Sequence, residues 1–336
     1  MRPIKRSFLK RKADEYWLLI KKDVGVGNPV QRYRKLSDEW ESVKATYPEV
    51  SRFFKETLEE LVKADYAKLI DIYIRYNTRF LKDINAMADK VRAKNIIDKI
   101  CETFDYNSLK KSEIKGFFKK YSTELNLHVC FYCEAIPIYP YRYNKGVKSQ
   151  WSLDHVLDKK DCPLLCYSLH NFVPSCTSCN TGCKGTKVLG GTRVKVGRKK
   201  VWMYDPRRMR KLSPSASGYN FDKSVTIDVL PVNTSRCDFM KEKSKYKIHF
   251  DCNDEFVDFI TLFHLEERYN ADDVKEVALN LLDKRRKYPP VHKALLAKLS
   301  KKQLKDFERD HFSYVQYEYL YHKMFVDIMN MKVTPL

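Results

Sequence analysis

Apolar residues recur at helical spacing through the first third of the chain. Between residues 31 and about 121, Leu36, Trp40 and Val43 begin a series in which an apolar side chain returns every three or four positions. This period predicts amphipathic helices whose apolar stripes pack into a core. Ser112 is the predicted N-cap of the last of these helices. The stripes continue through Phe54, Leu58, Leu61, Leu69, Tyr73, Ile96, Ile100, Phe117 and Tyr121.

The helical period is lost between residues 126 and 190. There the cysteines concentrate, and short apolar pieces are broken by Pro, Asn and Gly. A segment of this kind buries little core of its own, so we expect a metal to stabilise it. Strands are predicted farther along, at Lys199 to Tyr204, Val225 to Leu230 and Tyr246 to Phe250.

Helical patterns return in the last third of the chain. Asn270 and Asp273 mark the capped start of one predicted helix. Tyr314, Tyr317 and Tyr321 share one stripe of a final predicted helix. At helical spacing such tyrosines are more typical of a core or a partner interface than of a surface that stacks on bases.

These patterns together predict an α+β fold that is mainly helical. We divide the chain into a helical N-terminal region (1–125), a small zinc-stabilised core (126–190) and a C-terminal region (191–336). The C-terminal region combines a basic segment, short strands and helices. Hydrophobic residues make up 43% of the 336, which is enough to bury real cores and argues against a disordered chain.

The chain is strongly basic, with 64 Lys and Arg against 43 Asp and Glu and a formal net charge of +21. A surplus of this size favours a polyanionic partner, and nucleic acid ahead of a membrane surface. No apolar run approaches the roughly 18 residues that span a bilayer. The apolar residues after the basic start MRPIKRSFLKRK are too few for a secretion signal, so we expect a cytoplasmic protein.

Ten cysteines in a chain without an export signal indicate metal ligands and free thiols rather than disulfides. Cys130 and Cys133 form one Cys-x-x-Cys pair, and Cys176 and Cys179 form another. Two such pairs can hold one structural zinc ion in a tetrahedron, with each Zn–S distance about 2.3 Å. A redox pair normally stands alone after a strand, so the zinc interpretation is favoured.

The remaining cysteines leave alternatives open. Cys162, Cys166 and Cys183 are close enough in sequence to enter another ligand set, in which Cys183 replaces one arm. Three more lack ligand spacing and are expected to be ordinary buried thiols: Cys101, Cys237 and Cys252.

Polar residues of a second kind lie between the two cysteine pairs. Asp154 and His155 are adjacent, Asn171 comes later, and Asn180 directly follows the last ligand cysteine. A neutral imidazole can act as a general base near pH 7. Oxygen atoms of Asp and Asn suit Mg²⁺ or Mn²⁺ better than a second zinc. Such a set can hydrolyse a phosphodiester bond, because that reaction needs an activated water and a Lewis acid.

This arrangement resembles the HNH endonucleases, in the version where two Cys-x-x-Cys pairs hold the motif. The resemblance covers residues 126–190 and implies a ββα fold around a single divalent ion. It implies that His155 is the base and that Asp154 and Asn180 bind the catalytic Mg²⁺ or Mn²⁺. It also implies that Asn171 orders the loop that presents the histidine.

A weaker likeness extends beyond the cysteine-rich core. The opening MRPIKR and the segment FHLEERYNADDVKEV resemble HNH proteins of bacterial anti-phage systems, including the Septu type and retron-associated relatives. This resemblance implies an antiviral defence role and a partner ATPase that controls cleavage. The favoured substrate is DNA.

The chain departs from the HNH pattern at two positions. Asp158 stands where the family often has Pro, and Cys183 stands where Lys is common, with Lys184 one residue farther on. We assign phosphate contact to Lys184 and Lys187. Further contacts are assigned within the basic stretch from residue 193 to 211, at Arg193, Arg198, Lys199 and Lys200.

The alternative function is a non-catalytic zinc module that binds nucleic acid or a protein partner. A module of that kind needs neither the Asp154-His155 step nor Asn180. The presence of all three residues therefore favours the nuclease.

Overall fold

A computed structural model of the protein describes residues 3–21, 36–138, 140–143, 146–196, 199–232, 243–287, 323–324 and 327–328. The described chain is mainly helical and carries small antiparallel sheets. This architecture confirms the predicted mainly helical α+β class. The residues predicted to form a tyrosine stripe, Tyr314, Tyr317 and Tyr321, lie outside the described part of the chain.

Helices dominate the sequence before the cysteine-rich core. They are α1 (Arg6–Lys21), α2 (Leu36–Thr46), α3 (Pro48–Phe53), α4 (Leu58–Lys63), α5 (Tyr66–Arg75), α6 (Leu81–Ala86), α7 (Lys90–Thr103), α8 (Tyr106–Leu109) and α9 (Lys111–Lys120). A π-helical turn (Tyr76–Phe80) joins α5 to α6.

Strands and short helical turns follow. The strands are β1 (Pro140–Tyr143), β2 (Gly146–Ser149), β3 (Ser152–His155), β4 (Phe172–Ser175), β5 (Gly191–Val196), β6 (Lys199–Tyr204), β7 (Val225–Pro231) and β8 (Tyr246–Cys252). A π-helical segment (Ser178–Lys184) follows β4. The later helices are α10 (Pro206–Leu212), α11 (Phe221–Ser224), α12 (Asp254–Leu262), α13 (Leu265–Tyr269) and α14 (Asp272–Lys287).

Each sheet is a pair of antiparallel strands that are consecutive in the chain: β1–β2, β3–β4, β5–β6 and β7–β8. The three predicted strands are therefore confirmed, as β6, β7 and β8. In β7 the apolar positions Val225, Ile227 and Val229 are buried at every second residue, which is the period of a sheet with one covered face.

Side-chain caps define several helix starts in the N-terminal region. Thr57 and Glu60 form a reciprocal capping box before α4, and the Asp65 carboxylate accepts a hydrogen bond from the Lys68 amide at the start of α5. The predicted N-cap at Ser112 is wrong, because α9 already begins at residue 111. The Ser112 hydroxyl instead donates to the Glu113 carboxylate at 2.8 Å.

The N-terminal helices pack directly on the segment between β3 and β4. The Tyr16 hydroxyl donates to the Tyr167 carbonyl at 2.9 Å, and the Ser168 hydroxyl donates to the Leu61 carbonyl at 2.7 Å. A single cluster of buried apolar residues includes members of all three predicted regions. The cysteine-rich segment, residues 126–190, thus shares one apolar core with the helices. The boundaries of the three regions stay predictions.

The C-terminal region also packs on the cysteine-rich core. The Tyr132 ring stacks on Phe263 with ring centres 4.5 Å apart, and the Tyr269 hydroxyl donates to the Cys133 carbonyl at 2.9 Å. Within the described ranges, no helix combines the length and the apolar character that a membrane crossing requires.

Candidate functional site

Four cysteines converge at the centre of the core. The Sγ atoms of Cys130, Cys133, Cys176 and Cys179 all lie within 4.8 Å of one another, and all four residues are buried. We call this set the cysteine cluster. In a tetrahedral zinc site with Zn–S distances near 2.3 Å, neighbouring sulfurs are about 3.8 Å apart. The cluster therefore fits a single metal ion such as zinc.

Local chain geometry builds the cluster from two turns. In the second turn the Cys179 amide donates to the Cys176 sulfur at 3.4 Å. The first turn is bound to strand β4, because the Phe131 amide donates to the Pro174 carbonyl at 3.3 Å. Hydrogen bonds from the Cys130 thiol, and then from Cys133 and Cys179, lower the pKa of Cys176, which favours the thiolate that metal binding needs.

Arg268 of α13 lies against the cluster. Its guanidinium donates to the Cys179 sulfur at 3.4 Å, to the Cys183 sulfur at 3.2 Å and to the Ser178 hydroxyl at 2.7 Å. Burial opposes its charge, but the neighbouring sulfurs, with Cys179 first among them, raise the pKa of Arg268. A zinc ion with four thiolates carries two negative charges, and this guanidinium offsets part of them.

The position of Arg268 also separates Cys183 from the ligand set. The Cys183 sulfur is an acceptor for Arg268 and is absent from the group of mutually close donors found in the described chain. Cys162 and Cys166 are buried, and the Cys166 thiol donates to the Phe104 carbonyl at 3.1 Å. The symmetric quartet is thus the arrangement that forms.

Two expectations for the other thiols are corrected. Cys101 was expected to be buried but is exposed, because it lies on the outer face of α7. Cys252 is only partly buried at the end of β8. Cys237 lies outside the described residues.

Asp154 and His155 end strand β3, which pairs with β4 so that Asp154 faces Val173 and His155 faces Phe172 in register. The π-helical segment, with Asn180 in its first turn, follows β4 after two residues. Two antiparallel strands and a helical segment therefore surround the residues with candidate chemistry.

His155 is held by one hydrogen bond and two aromatic rings. Its Nε2 lies 3.0 Å from the Cys166 carbonyl oxygen, and its ring contacts Tyr106 at 4.6 Å and Phe172 at 4.7 Å between centres. Because a carbonyl only accepts, Nε2 must carry the proton and Nδ1 keeps its lone pair. Burial, followed by the charge of Lys159, lowers the pKa of His155 to about 3, so the ring is neutral at pH 7.

Asp154 is buried and makes contacts through both carboxylate oxygens. The Tyr132 hydroxyl donates to Oδ2 at 2.5 Å, and the Lys184 ammonium lies 3.2 Å from Oδ1. Lys184 also donates to the His155 carbonyl at 2.9 Å, and its side chain is fully buried. Burial raises the pKa of Asp154 while Lys184 opposes that rise. Each oxygen keeps a lone pair that a cation could use.

Asn171 closes the loop between the two strands. Its side-chain oxygen accepts from the Leu157 amide at 2.8 Å, and its side-chain nitrogen donates to the Leu157 carbonyl at 3.0 Å and the Leu165 carbonyl at 3.1 Å. The side chain is fully buried, so these bonds are shielded from water. They fix the chain directly after His155.

Asn180 links the cysteine cluster to the strand. Its side-chain nitrogen donates to the Ser152 hydroxyl at 2.9 Å, which leaves its side-chain oxygen as a potential ligand atom. The Asn180 amide donates to the Cys176 carbonyl at 3.0 Å. A metal held by Cys176 and Cys179 would thus fix the backbone that carries this side chain.

Asp154, His155 and Asn180 line one open cleft with a volume of about 370 Å³. Four lysines line it with them: Lys111, Lys115, Lys159 and Lys160. Sequence reasoning missed these lysines, since nothing in their spacing marks them and two belong to a helix distant in sequence. Asp158 also lines the cleft. Its Oδ1 accepts from the Lys160 amide.

The basic residues predicted to contact nucleic acid lie elsewhere. Lys184 is buried against Asp154, and Lys187 is exposed with its ammonium 3.1 Å from the Cys183 carbonyl. The β5–β6 pair carries the other predicted residues within the described chain, Arg193, Lys199 and Lys200, and Arg198 lies outside it. Nucleic-acid contact by this group stays a prediction.

Comparison with known proteins finds no match to a family model, to a curated protein or to a solved structure.

Proposed function

We propose that this protein is a metal-dependent endonuclease of the HNH type that hydrolyses phosphodiester bonds of nucleic acid, with DNA as the favoured substrate. The observation that carries the proposal is the meeting of Asp154, His155 and Asn180 in one lysine-lined cleft. The order of two antiparallel strands followed by a helical segment is compatible with a ββα core.

His155 is the general base of the proposed reaction. Donation from Nε2 to the Cys166 carbonyl fixes the ring, and within the described chain no residue donates to Nδ1. This tautomer presents an unprotonated nitrogen to a water molecule in the cleft. Tyr106 and Phe172 hold the ring in place, so the base is oriented before substrate arrives.

Asp154 and Asn180 are the proposed ligands of a catalytic Mg²⁺ or Mn²⁺. A carboxylate and an amide oxygen form a hard donor set of the kind these ions prefer. When bound, the ion would act as a Lewis acid on the phosphate and on the leaving oxygen. Lys184 favours the charged form of the Asp154 carboxylate and orients it.

Asn171 and the cysteine cluster have supporting roles in this proposal. Asn171 pins the loop after His155 through three buried hydrogen bonds, and a zinc ion in the cluster would hold Asn180 in register. We further propose an antiviral role with a partner ATPase, on the likeness of the opening segment and of the residue 263–277 segment to anti-phage HNH proteins.

The test is cleavage of plasmid and of linear DNA by the zinc-loaded protein, with Mg²⁺ or Mn²⁺ added. We expect His155→Ala to reduce cleavage by about 100-fold or more, which is the usual contribution of a positioned general base. His170→Gln is the matched control, because His170 adjoins the same loop and does not line the cleft. Equal cleavage by His155→Ala and wild-type protein would refute the assignment of the base.

One observation favours the alternative, a zinc module that binds without cutting. The Asp154 carboxylate already accepts hydrogen bonds from Tyr132 and Lys184, as a purely structural residue would. This alternative predicts nucleic-acid binding without cleavage in any divalent metal, and binding that is unchanged in Asn180→Ala. Metal-dependent cleavage that Asn180→Ala abolishes would decide for the nuclease.

A further inference from the structure

Three of the lysines in the cleft have no anionic partner among the residues that the structure describes. Lys111 and Lys160 are exposed and Lys115 is half-buried, and none of them forms an ion pair within the described part of the chain. All three line the same cleft as His155. The cleft therefore concentrates positive charge beside the proposed base.

Two other lysines of the N-terminal region show the contrast, because each pairs with a carboxylate. Lys120, on the same helix as Lys111 and Lys115, lies 2.7 Å from the Glu15 carboxylate, and Lys63 lies 2.6 Å from the Asp14 carboxylate. The contrast along α9 is informative, because one face of the helix neutralises its charge within the protein and the other directs its charge into the cleft.

The unpaired lysines are held in a fixed arrangement. Lys111 and Lys115 are one helical turn apart on α9, which separates their Cα atoms by about 6 Å along the helix axis. Lys160 follows a turn in which the Asp158 carboxylate accepts from its backbone amide at 2.9 Å. Successive positive charges at this spacing can follow a chain of phosphates.

Lys159 connects this lysine set to the base. Its ammonium donates to the Asn107 side chain at 3.1 Å and lies 4.3 Å from the centre of the Tyr106 ring, which in turn contacts His155. Burial, and the charge of Lys111 after it, lower the pKa of Lys159. The positive charges of these lysines therefore repel one another, and an anionic ligand bound in the cleft would reduce that repulsion.

We propose that Lys111, Lys115 and Lys160 bind the sugar–phosphate backbone of the nucleic-acid substrate and place it against His155. This inference rests on the proposed function, and it assigns the substrate-binding wall of the same cleft to the N-terminal helical region. The contacts are to phosphates, so binding through them is independent of base sequence.

The experiment measures binding of labelled duplex and single-stranded DNA to His155→Ala protein, without added Mg²⁺ or Mn²⁺, between about 50 and 200 mM salt. We expect Lys111→Gln/Lys115→Gln to reduce the slope of log affinity against log salt by about 2 on duplex and about 1.4 on single strands. The matching loss of affinity is about 10- to 100-fold near 0.1 M salt. Lys160→Gln should reduce the slope by about 1.

The controls isolate charge and position. Lys120→Gln, on the same helix but paired with Glu15, should leave the slope unchanged. Lys111→Arg/Lys115→Arg should keep it, since the charges remain. A slope of the double Gln variant equal to that of the parent overturns the proposal.

Failure of this inference and failure of the proposed function give different results. Cleavage by wild-type protein together with an unchanged salt slope in Lys111→Gln/Lys115→Gln leaves the nuclease standing and removes the lysine wall. A reduced salt slope in that variant, together with no cleavage by wild-type protein in any divalent metal, supports the lysine site and refutes the nuclease.

Discussion

The cysteine cluster and the cleft beside it lie in one segment of chain, yet they are built in different ways. The cluster takes four identical donors from two tight turns, and its sulfurs converge within 4.8 Å. The cleft takes unlike side chains from the end of β3, the π-helical segment and α9. Local backbone geometry forms the first site, whereas packing between distant parts of the sequence forms the second.

This difference explains why the flanking helices matter for chemistry. His155 is oriented partly by Tyr106, and the cleft charge comes partly from Lys111 and Lys115. The cysteine cluster receives a comparable outside contact from Arg268. Neither site is complete within residues 126–190 alone. We therefore expect substitutions in the flanking helical regions to alter the properties of both sites.

The largest expected effect comes from removing the cluster itself. Cys176→Ser should lose the metal and unfold the β3–β4 pair together with the cleft. Metal binding at such sites contributes on the order of 10 kcal/mol, which is comparable with the whole stability of a domain. Metal content per chain and hydrogen exchange of the backbone from 152 to 184 measure the result.

Cys252→Ser is the control for the cluster, since Cys252 lies outside it and is only partly buried. That variant should keep both the metal and the exchange protection. A folded, metal-free Cys176→Ser protein would show that the cleft stands without the cluster.

The next effect separates the cleft from the cluster. Lys184→Met should destabilise the protein by about 3–5 kcal/mol, because it leaves the buried Asp154 carboxylate without its ionic partner. Zinc content should not change. Urea unfolding of the variant gives the free energy, and Lys184→Met/Asp154→Asn should recover most of the loss because it removes the unpaired charge.

A loss below about 1 kcal/mol in Lys184→Met would contradict this account, since that is the range of a solvent-exposed pair. It would mean that the Lys184–Asp154 pair contributes no more to stability than an ion pair on the surface does.

A smaller effect tests the loop after His155. Asn171→Ala should lower the free energy of unfolding by about 3 kcal/mol, because three buried hydrogen bonds are lost and their backbone partners are left unsatisfied. Asn77→Ala is the control, since among the described residues Asn77 donates one side-chain bond, to the Tyr73 carbonyl. Equal urea midpoints for the two variants would show that the loop is held by other contacts.

The smallest effect concerns the cluster and its outside contact. Arg268→Gln should weaken retention of the metal by about 10- to 100-fold, as is usual when a residue bonded to metal ligands is replaced. Competition with a coloured chelator measures this loss. Arg210→Gln, which removes an exposed pair with Asp71, should leave metal retention as it is. If Arg268→Gln retains the metal as well as wild-type protein does, the two cysteine turns alone determine metal affinity and Arg268 does not contribute to it.

The parts of the fold that sequence predicts well are those with local causes. The cysteine quartet follows from two Cys-x-x-Cys spacings, and the strands β6, β7 and β8 follow from β-branched and aromatic alternation. The helical stripes of the first third are likewise confirmed as helices α2 to α9.

The parts that sequence does not predict depend on contacts across long separations. From the sequence, Lys184 is assigned to phosphate contact, and only the fold shows that its ammonium is buried against Asp154. Nothing in the spacing of Lys111 and Lys115 marks them, and only the fold places them in the cleft, next to α8, whose Tyr106 ring contacts His155. Cys101 is exposed because its position on α7 faces outward.

Tyr132 connects the cysteine cluster to the cleft. It stands between the ligand cysteines Cys130 and Cys133, and its hydroxyl donates to Asp154. We expect a polypeptide that has not yet acquired its metal to lack the turn that holds this hydroxyl in place. On the proposed function, a newly made chain is therefore harmless until it is metallated, and a cell short of zinc would accumulate the polypeptide without its DNA-cutting activity.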